Sequence, residues 1–195
     1  MTRSRQTADW GSRAGLAKIV PSSVAVGSGT GSASALGTVT FSGCSSVSLN
    51  GVFSSTYDNY RLVLNITTTA GIDLGIRFRT TSDDSGGTNQ SRVLVWGNDG
   101  GFSGTAATNA TGLIFGWGQN TKEGSYSVDI SNPNLAKNTN ITGHSMVGYA
   151  TTTNMITSLI GGQQQTTTQY TGFTIYNYAG TGNFTGTVSI YGYTN

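Results

Sequence analysis

Acid–base chemistry has few carriers in this chain of 195 residues: one histidine (His144), one glutamate (Glu123) and seven aspartates. A serine-type hydrolase needs a nucleophile beside a base that a third group orients. Serine and aspartate are so common here that a Ser-His-Asp match carries no information, and no Gly-X-Ser-X-Gly elbow leads into a helix. Gly143-His144-Ser145 falls in a strand pattern, which makes His144 a structural hydrogen-bonding residue on this reading. Glycoside hydrolysis needs a carboxylate pair. The candidates are Asp73, Asp83, Asp84, Asp99, Glu123 and Asp129. Asp83 and Asp84 lie in a Gly/Ser stretch and Asp99 in a turn, where aspartate serves the backbone. The expectation is a protein that is not an enzyme, with no catalytic residues.

Metal and cofactor chemistry is equally thin. Cys44 is the only cysteine, so one chain can form neither a disulfide nor a thiolate metal site. No loop follows the spaced Asp-X-Asp-X-Asp-Gly pattern of a calcium hand, and none reads Gly-X-X-X-X-Gly-Lys-Ser/Thr. No cofactor is expected. Nor is a secretory leader or a membrane span: the first residues are polar and basic, and no apolar run approaches the roughly 18 residues of a membrane helix.

Charge is distributed unevenly. Arg3, Arg5, Arg13 and Lys18 against Asp9 give the first eighteen residues a net +3, while the whole chain carries +2. Residues 1–21 therefore read as an N-terminal docking arm. Trp10 and Leu16 would be its apolar anchors, and Arg3, Arg5, Arg13 and Lys18 its polar contacts. So thinly charged an arm suits a protein surface better than nucleic acid. Residues 22–37, rich in Gly and Ser, read as a flexible linker or loop.

The elements that must position these residues are strands. Helix formers are scarce, whereas Thr, Val, Ile, Tyr and Phe abound among 29 glycines. Tyr60, Leu62, Leu64 and Ile66 alternate with Arg61, Val63, Asn65 and Thr67; Ile72, Leu74, Ile76 and Phe78 alternate with Asp73, Gly75, Arg77 and Arg79. Period-two alternation of this kind buries one face of a strand. The Thr68–Gly71 stretch reads as a hairpin between them. Further strands are expected at 38–41, 47–49, 93–96, 113–115, 126–130, 141–149, 155–160, 173–175 and 188–190, with a polar loop over 161–169. The resulting fold is all-β: an antiparallel, jelly-roll-like β-sandwich over residues 38–195 with an extended N-terminal arm.

Only 9% of residues are charged, against about 25% in ordinary globular proteins. A Ser/Thr/Asn surface of this kind suits dense packing against neighbours, or carbohydrate. Trp96, Trp117, Tyr149, Tyr170 and Tyr178 are the aromatic candidates for a receptor-facing surface, with a host-surface glycan as the ligand.

Several segments resemble small virion structural proteins of tailed bacteriophages. They are Ser4-Arg5-Gln6-Thr7-Ala8-Asp9, Gly15 through Ser23, Phe41-Ser42-Gly43, Val47 through Phe53, Tyr57 through Leu64, and Gly186 through Tyr193. The resemblance implies a non-enzymatic β-sandwich subunit on a phage particle. It would be assembled in the host cytoplasm, docked on other virion proteins and homotrimeric. Two roles stay open: a tail appendage or receptor-binding subunit, and a capsid decoration (cement) protein. A secreted glycan-binding or glycan-active protein is the further alternative.

Overall fold

The computed structural model describes residues 15–83, 89–98, 100–149 and 154–194, and among these it contains no helix. Fifteen strands are formed: β1 (Gly15–Ile19), β2 (Ser23–Val26), β3 (Thr30–Ala33), β4 (Thr38–Cys44), β5 (Ser46–Asn50), β6 (Asn59–Thr68), β7 (Ile72–Arg79), β8 (Gln90–Asn98), β9 (Gly101–Ala107), β10 (Leu113–Gly118), β11 (Glu123–Ser131), β12 (Thr139–Gly148), β13 (Met155–Gln164), β14 (Gly172–Ala179) and β15 (Phe184–Thr194). They make an antiparallel β-sandwich of two unequal sheets. The larger has ten strands in the order β3-β4-β15-β6-β11-β12-β13-β8-β9, with β1 beside β15; the smaller is β10-β7-β14-β5-β2.

Alternation places the core. On β6, Tyr60, Leu62, Leu64 and Ile66 point inward and are buried, while Val63 and Asn65 between them are exposed. Leu74, Ile76 and Phe78 of β7, with Phe173 and Ile175 of β14, face them from the smaller sheet. An aromatic cluster closes one end: the Phe53 ring lies 4.8 Å from Tyr60 and 5.7 Å from Phe173, and Phe78 lies 5.3 Å from Tyr170. Each fully buried side chain of this size contributes roughly 1.5–3 kcal/mol, which is how the fold stands without a disulfide.

Three expectations are corrected. The 22–37 segment is not a linker, because it holds β2 and β3, which join the two sheets at β5 and β4. Its valines alternate, and its glycines serve close packing: a Cβ on Gly31 would sit 2.7 Å from the Val26 side chain. The sandwich therefore begins before residue 38. β6 and β7 do not form a hairpin either; β6 lies in the larger sheet and β7 in the smaller, so residues 69–71 arch between layers. Alternation tells which face is buried, not which strand lies alongside. Finally, the polar stretch at 161–164 continues β13, paired to Thr139 through Thr142 on one side and Gln90 through Val93 on the other.

The two sheets do not cover each other completely. β10, at the edge of the smaller sheet, lies over β8, β11, β12 and β13. β9 continues the larger sheet beyond that cover and is exposed from Gly101 through Ala106 on both of its faces. The turn into it needs a glycine: Gly101 takes φ +123°, where a side chain is strained.

Candidate interaction surface

The outward face of the larger sheet carries most of the exposed large apolar residues among the described residues. Register fixes its composition, because residues directly opposite across an antiparallel pair share a face. One row runs Ser189, Val63, Ser127, His144, Leu159, Val95, Gly104 across β15, β6, β11, β12, β13, β8 and β9. The next row holds Thr187, Asn65, Ser125, Met146, Thr157, Gly97 and Phe102. A third holds Tyr191, Arg61, Asp129, Thr142, Gly161, Val93 and Ala106.

Each row changes character at the β11–β12 seam. On the β15-β6-β11 side the residues pair with one another. The Arg61 Nε and Nη2 groups donate to Asp129 at 2.8 and 2.7 Å, and the Tyr193 hydroxyl donates to the same carboxylate at 2.5 Å. These bonds, Arg61's first, hold the Asp129 carboxyl below its ordinary value despite partial burial. Burial, and then the carboxylate it serves, push the Tyr193 phenol up. Ser125 Oγ donates to Asn65 Oδ1 at 2.9 Å.

On the β12-β13-β8-β9 side the outward residues include Met146, Met155, Leu159, Val93, Val95 and Phe102, all exposed. Leu159 is 68% exposed and Phe102 86%, values usual for a lysine rather than for residues of this kind. No Asp, Glu, Lys or Arg stands on this half-face among the described residues; His144 is its one titratable group. Two hollows lie within it, and a third, of about 410 Å³, straddles the seam between Val63, Ser125, His144 and Met146. A shallow depression of about 710 Å³ is lined by Val93, Ala106, Thr142 and Gly161 with Asn140 and Gln163 on its rim. A smaller one of about 260 Å³ lies between Phe102, Met146 and Met155. The outer edge, β9, keeps an unbroken register with β8 and carries no charge, proline or bulge, the devices that normally guard an exposed strand edge.

The smaller sheet's outer face is charged but internally paired. Thr174 donates to Asp83 at 2.6 Å and accepts from Arg79 at 3.3 Å, and Arg79 lies 3.6 Å from Asp83. Arg77 stacks 4.0 Å above the Tyr176 ring, whose buried phenol is pushed up to about 12.

Of the residues expected to dock the arm, Arg3, Arg5, Trp10 and Arg13 lie outside the described residues. Leu16 and Lys18 belong to β1, paired along β15 opposite Tyr193 and Tyr191. Lys18 is held by its own domain: Nζ donates to Thr38 at 2.6 Å and lies 5.9 Å from the Tyr191 ring centre. Leu16 remains 45% exposed. The five receptor-facing candidates are not brought together. Tyr170 is fully buried and cannot face a ligand, because its ring fills the core beside Phe78. Trp96 and Trp117 pack on each other between the sheets at 4.4 Å, and Tyr178 lies under Arg92 at 4.4 Å. Tyr149 alone is open, at the end of β12. His144 stands exposed beside Leu159 and Ser127. Among the described residues no cluster of three or more His, Cys, Asp or Glu side chains is placed to hold a metal.

The apolar half-face was not among the expected sites, yet the sequence carries a signal for it. Val93-Leu94-Val95-Trp96, Met146-Val147, Met155-Ile156 and Leu159-Ile160 are apolar neighbours that break the alternation seen on β6. Runs of this kind belong to strands covered on both faces. Comparison with protein-family models, with curated proteins and with solved structures finds no match to this chain.

Proposed function

We propose that this protein is a non-enzymatic structural subunit of a larger assembly, and that the assembly is the surface of a tailed-phage virion. The observation that carries the assembly reading is the uncharged, apolar outer face on β12, β13, β8 and β9 next to an unguarded strand edge. Exposed apolar area of this kind marks an interaction surface. The phage particle enters through the resemblance of the segments around Gly15–Ser23, Val47–Phe53, Tyr57–Leu64 and Gly186–Tyr193 to virion proteins. The partners are then other virion proteins and further copies of this chain.

A tail appendage that binds receptor and a capsid decoration protein remain the two roles. Burial of Tyr170 and the pairing of Trp96 with Trp117 leave few aromatics for a sugar to stack on, which favours decoration. Quantitative mass spectrometry of purified particles, measured against the major capsid protein, tests both. Hundreds of copies support decoration, and a few to a few tens support a tail appendage. Absence from particles overturns the virion reading. The docking arm is tested by removing residues 1–14, which leaves β1 in its sheet; incorporation should be lost while the domain still folds.

A further inference from the structure

On the apolar half-face a projection and a hollow lie on the same surface. Phe102 stands on Gly97, where a Cβ would come within 2.7 Å of its ring, and is 86% exposed. The 710 Å³ depression begins at Ala106 on the same strand. Four residues along a strand place the two about 13 Å apart. The floor of the depression is open because Gly161 has no side chain: a Cβ there meets nothing within 4 Å. Val93, Ala106 and the exposed backbone give it an apolar lining, with the amides of Asn140 and Gln163 bonded to each other at its rim at 2.8 Å.

We propose that this half-face docks on a second copy of the same chain, with Phe102 of each copy seated in the depression floored by Gly161 of another. Three observations select that occupant. The outward positions of these strands carry no charged residue among the described residues, and Arg92, which borders the hollow, is engaged by the Gly112 carbonyl and the Tyr178 ring, so an acidic or basic partner gains little from the face, whereas a second copy brings an equally uncharged one. The projection on β9 and the floor of the hollow on β13 are offset by about 13 Å along the strands and by two strand spacings, about 10 Å, across them. A two-fold axis lying in the interface, perpendicular to the line from Phe102 to Gly161, therefore seats both phenylalanines at once; this is the self-complementarity of an isologous contact. The size also fits. Four strands at about 4.8 Å and the span Met155–Gln163 at about 3.3 Å per residue give roughly 500 Å² per copy. A pair then buries about 1,000 Å², the size at which a specific interface begins.

This inference rests on reading the half-face as an assembly surface but not on where the assembly belongs. The test is sedimentation of the full chain over a dilution series, for the wild type and two variants. Phe102→Asp places a charge where the projection was. Gly161→Val fills the hollow with a side chain that the fold itself has room for and that suits a strand. The wild type should sediment as two or more copies, and each variant should weaken association at least tenfold while keeping the wild-type circular dichroism. Val63→Asp, across the seam, should leave association unchanged. A wild type that is monomeric at every concentration, or an oligomer indifferent to both variants, overturns the proposal. The virion reading fails separately. A monomer that is still found on purified particles sinks the self-docking and leaves the virion role standing. An oligomer that both variants weaken, yet that is absent from particles, upholds the self-docking and sinks the virion role.

Discussion

The outward face of the larger sheet is made of one pleat and two kinds of residue. On β15, β6 and β11 it is mainly hydroxyls, amides and the Arg61–Asp129–Tyr193 group, which satisfy one another without help, with Val63 as the one exposed aliphatic residue. On β12, β13, β8 and β9 it is methionine, leucine, valine and phenylalanine facing water. Beneath both halves large apolar residues are buried, Leu62, Leu64 and Val128 under the first and Ile160, Ile156 and Leu94 under the second, but the second half also buries Thr139, Ser145, Ser158, Gln90 and Gln164. The two halves therefore differ on both faces: the half that is apolar outside is the more polar inside. We read the apolar half as a surface to be covered by a partner, as proposed above, because its exposed apolar residues add nothing to the core.

The seam itself offers the largest break. Gly143 on β12 faces Val128 of β11, and a Cβ on it would run into the Ser127 carbonyl oxygen. That oxygen is backbone and cannot swing away. Gly143→Val should push β11 and β12 apart and cost about 3 kcal/mol, the range of an overpacked interior site. Chemical unfolding followed by tryptophan fluorescence measures it. A loss under about 1 kcal/mol would mean that the two halves are not held as one sheet at this point.

How much of this the sequence could say follows from the same contrast. β6 and β7 were legible because large apolar residues alternate with polar ones, from Tyr60 to Ile66 and from Ile72 to Phe78. β9, Gly-Phe-Ser-Gly-Thr-Ala-Ala, was not, because both its faces are exposed and neither needs an apolar set. β2 and β3 were hidden in a Gly/Ser stretch whose glycines meet backbone and valine side chains instead of providing slack. The layer in which each strand lies was beyond reach, since β6 and β7 have the same pattern in different sheets. Trp96, Trp117, Tyr170 and Tyr178 were singled out by residue type; their surroundings, a facing ring or a guanidinium, depend on pairing across the sandwich. The apolar half-face left its mark in doubled apolar residues such as Leu159-Ile160, and that mark reports two-sided cover without naming what supplies it.

A matched pair of substitutions sharpens the contrast between the halves. Val63→Thr and Leu159→Thr remove exposed apolar atoms from the same row, one on each side of the seam. In the free chain both should change stability by no more than about 0.5 kcal/mol, as surface substitutions do. In the associated state only Leu159→Thr should matter, lowering affinity roughly tenfold, about 1.4 kcal/mol. Equal effects on association from the two variants would erase the distinction between the halves.

The smallest effect is electrostatic and centres on the polar half, with a lesser contribution from His144 across the seam. Arg61 and Asp129 are more than a third exposed, so water and salt screen them, and a pair of this kind is worth about 0.5 kcal/mol. Its sign with pH is fixed by the direction of the shift. The Asp129 carboxyl is held below its ordinary value by the Arg61 and Tyr193 hydrogen bonds. Its contribution is therefore fully present above the unfolded value of about 3.9 and fades as pH falls through the lower folded value. Asp129→Asn should show a small, constant stability deficit from neutral pH down to about pH 5, and the gap to wild type should close as acid protonates the native carboxylate. The same titration on Leu159→Thr should stay parallel to wild type across that acid range, because no carboxylate stands on the half-face among the described residues. Divergence of the Leu159→Thr curve in acid would show that Leu159 takes part in the interaction between His144 and Asp129 across the seam.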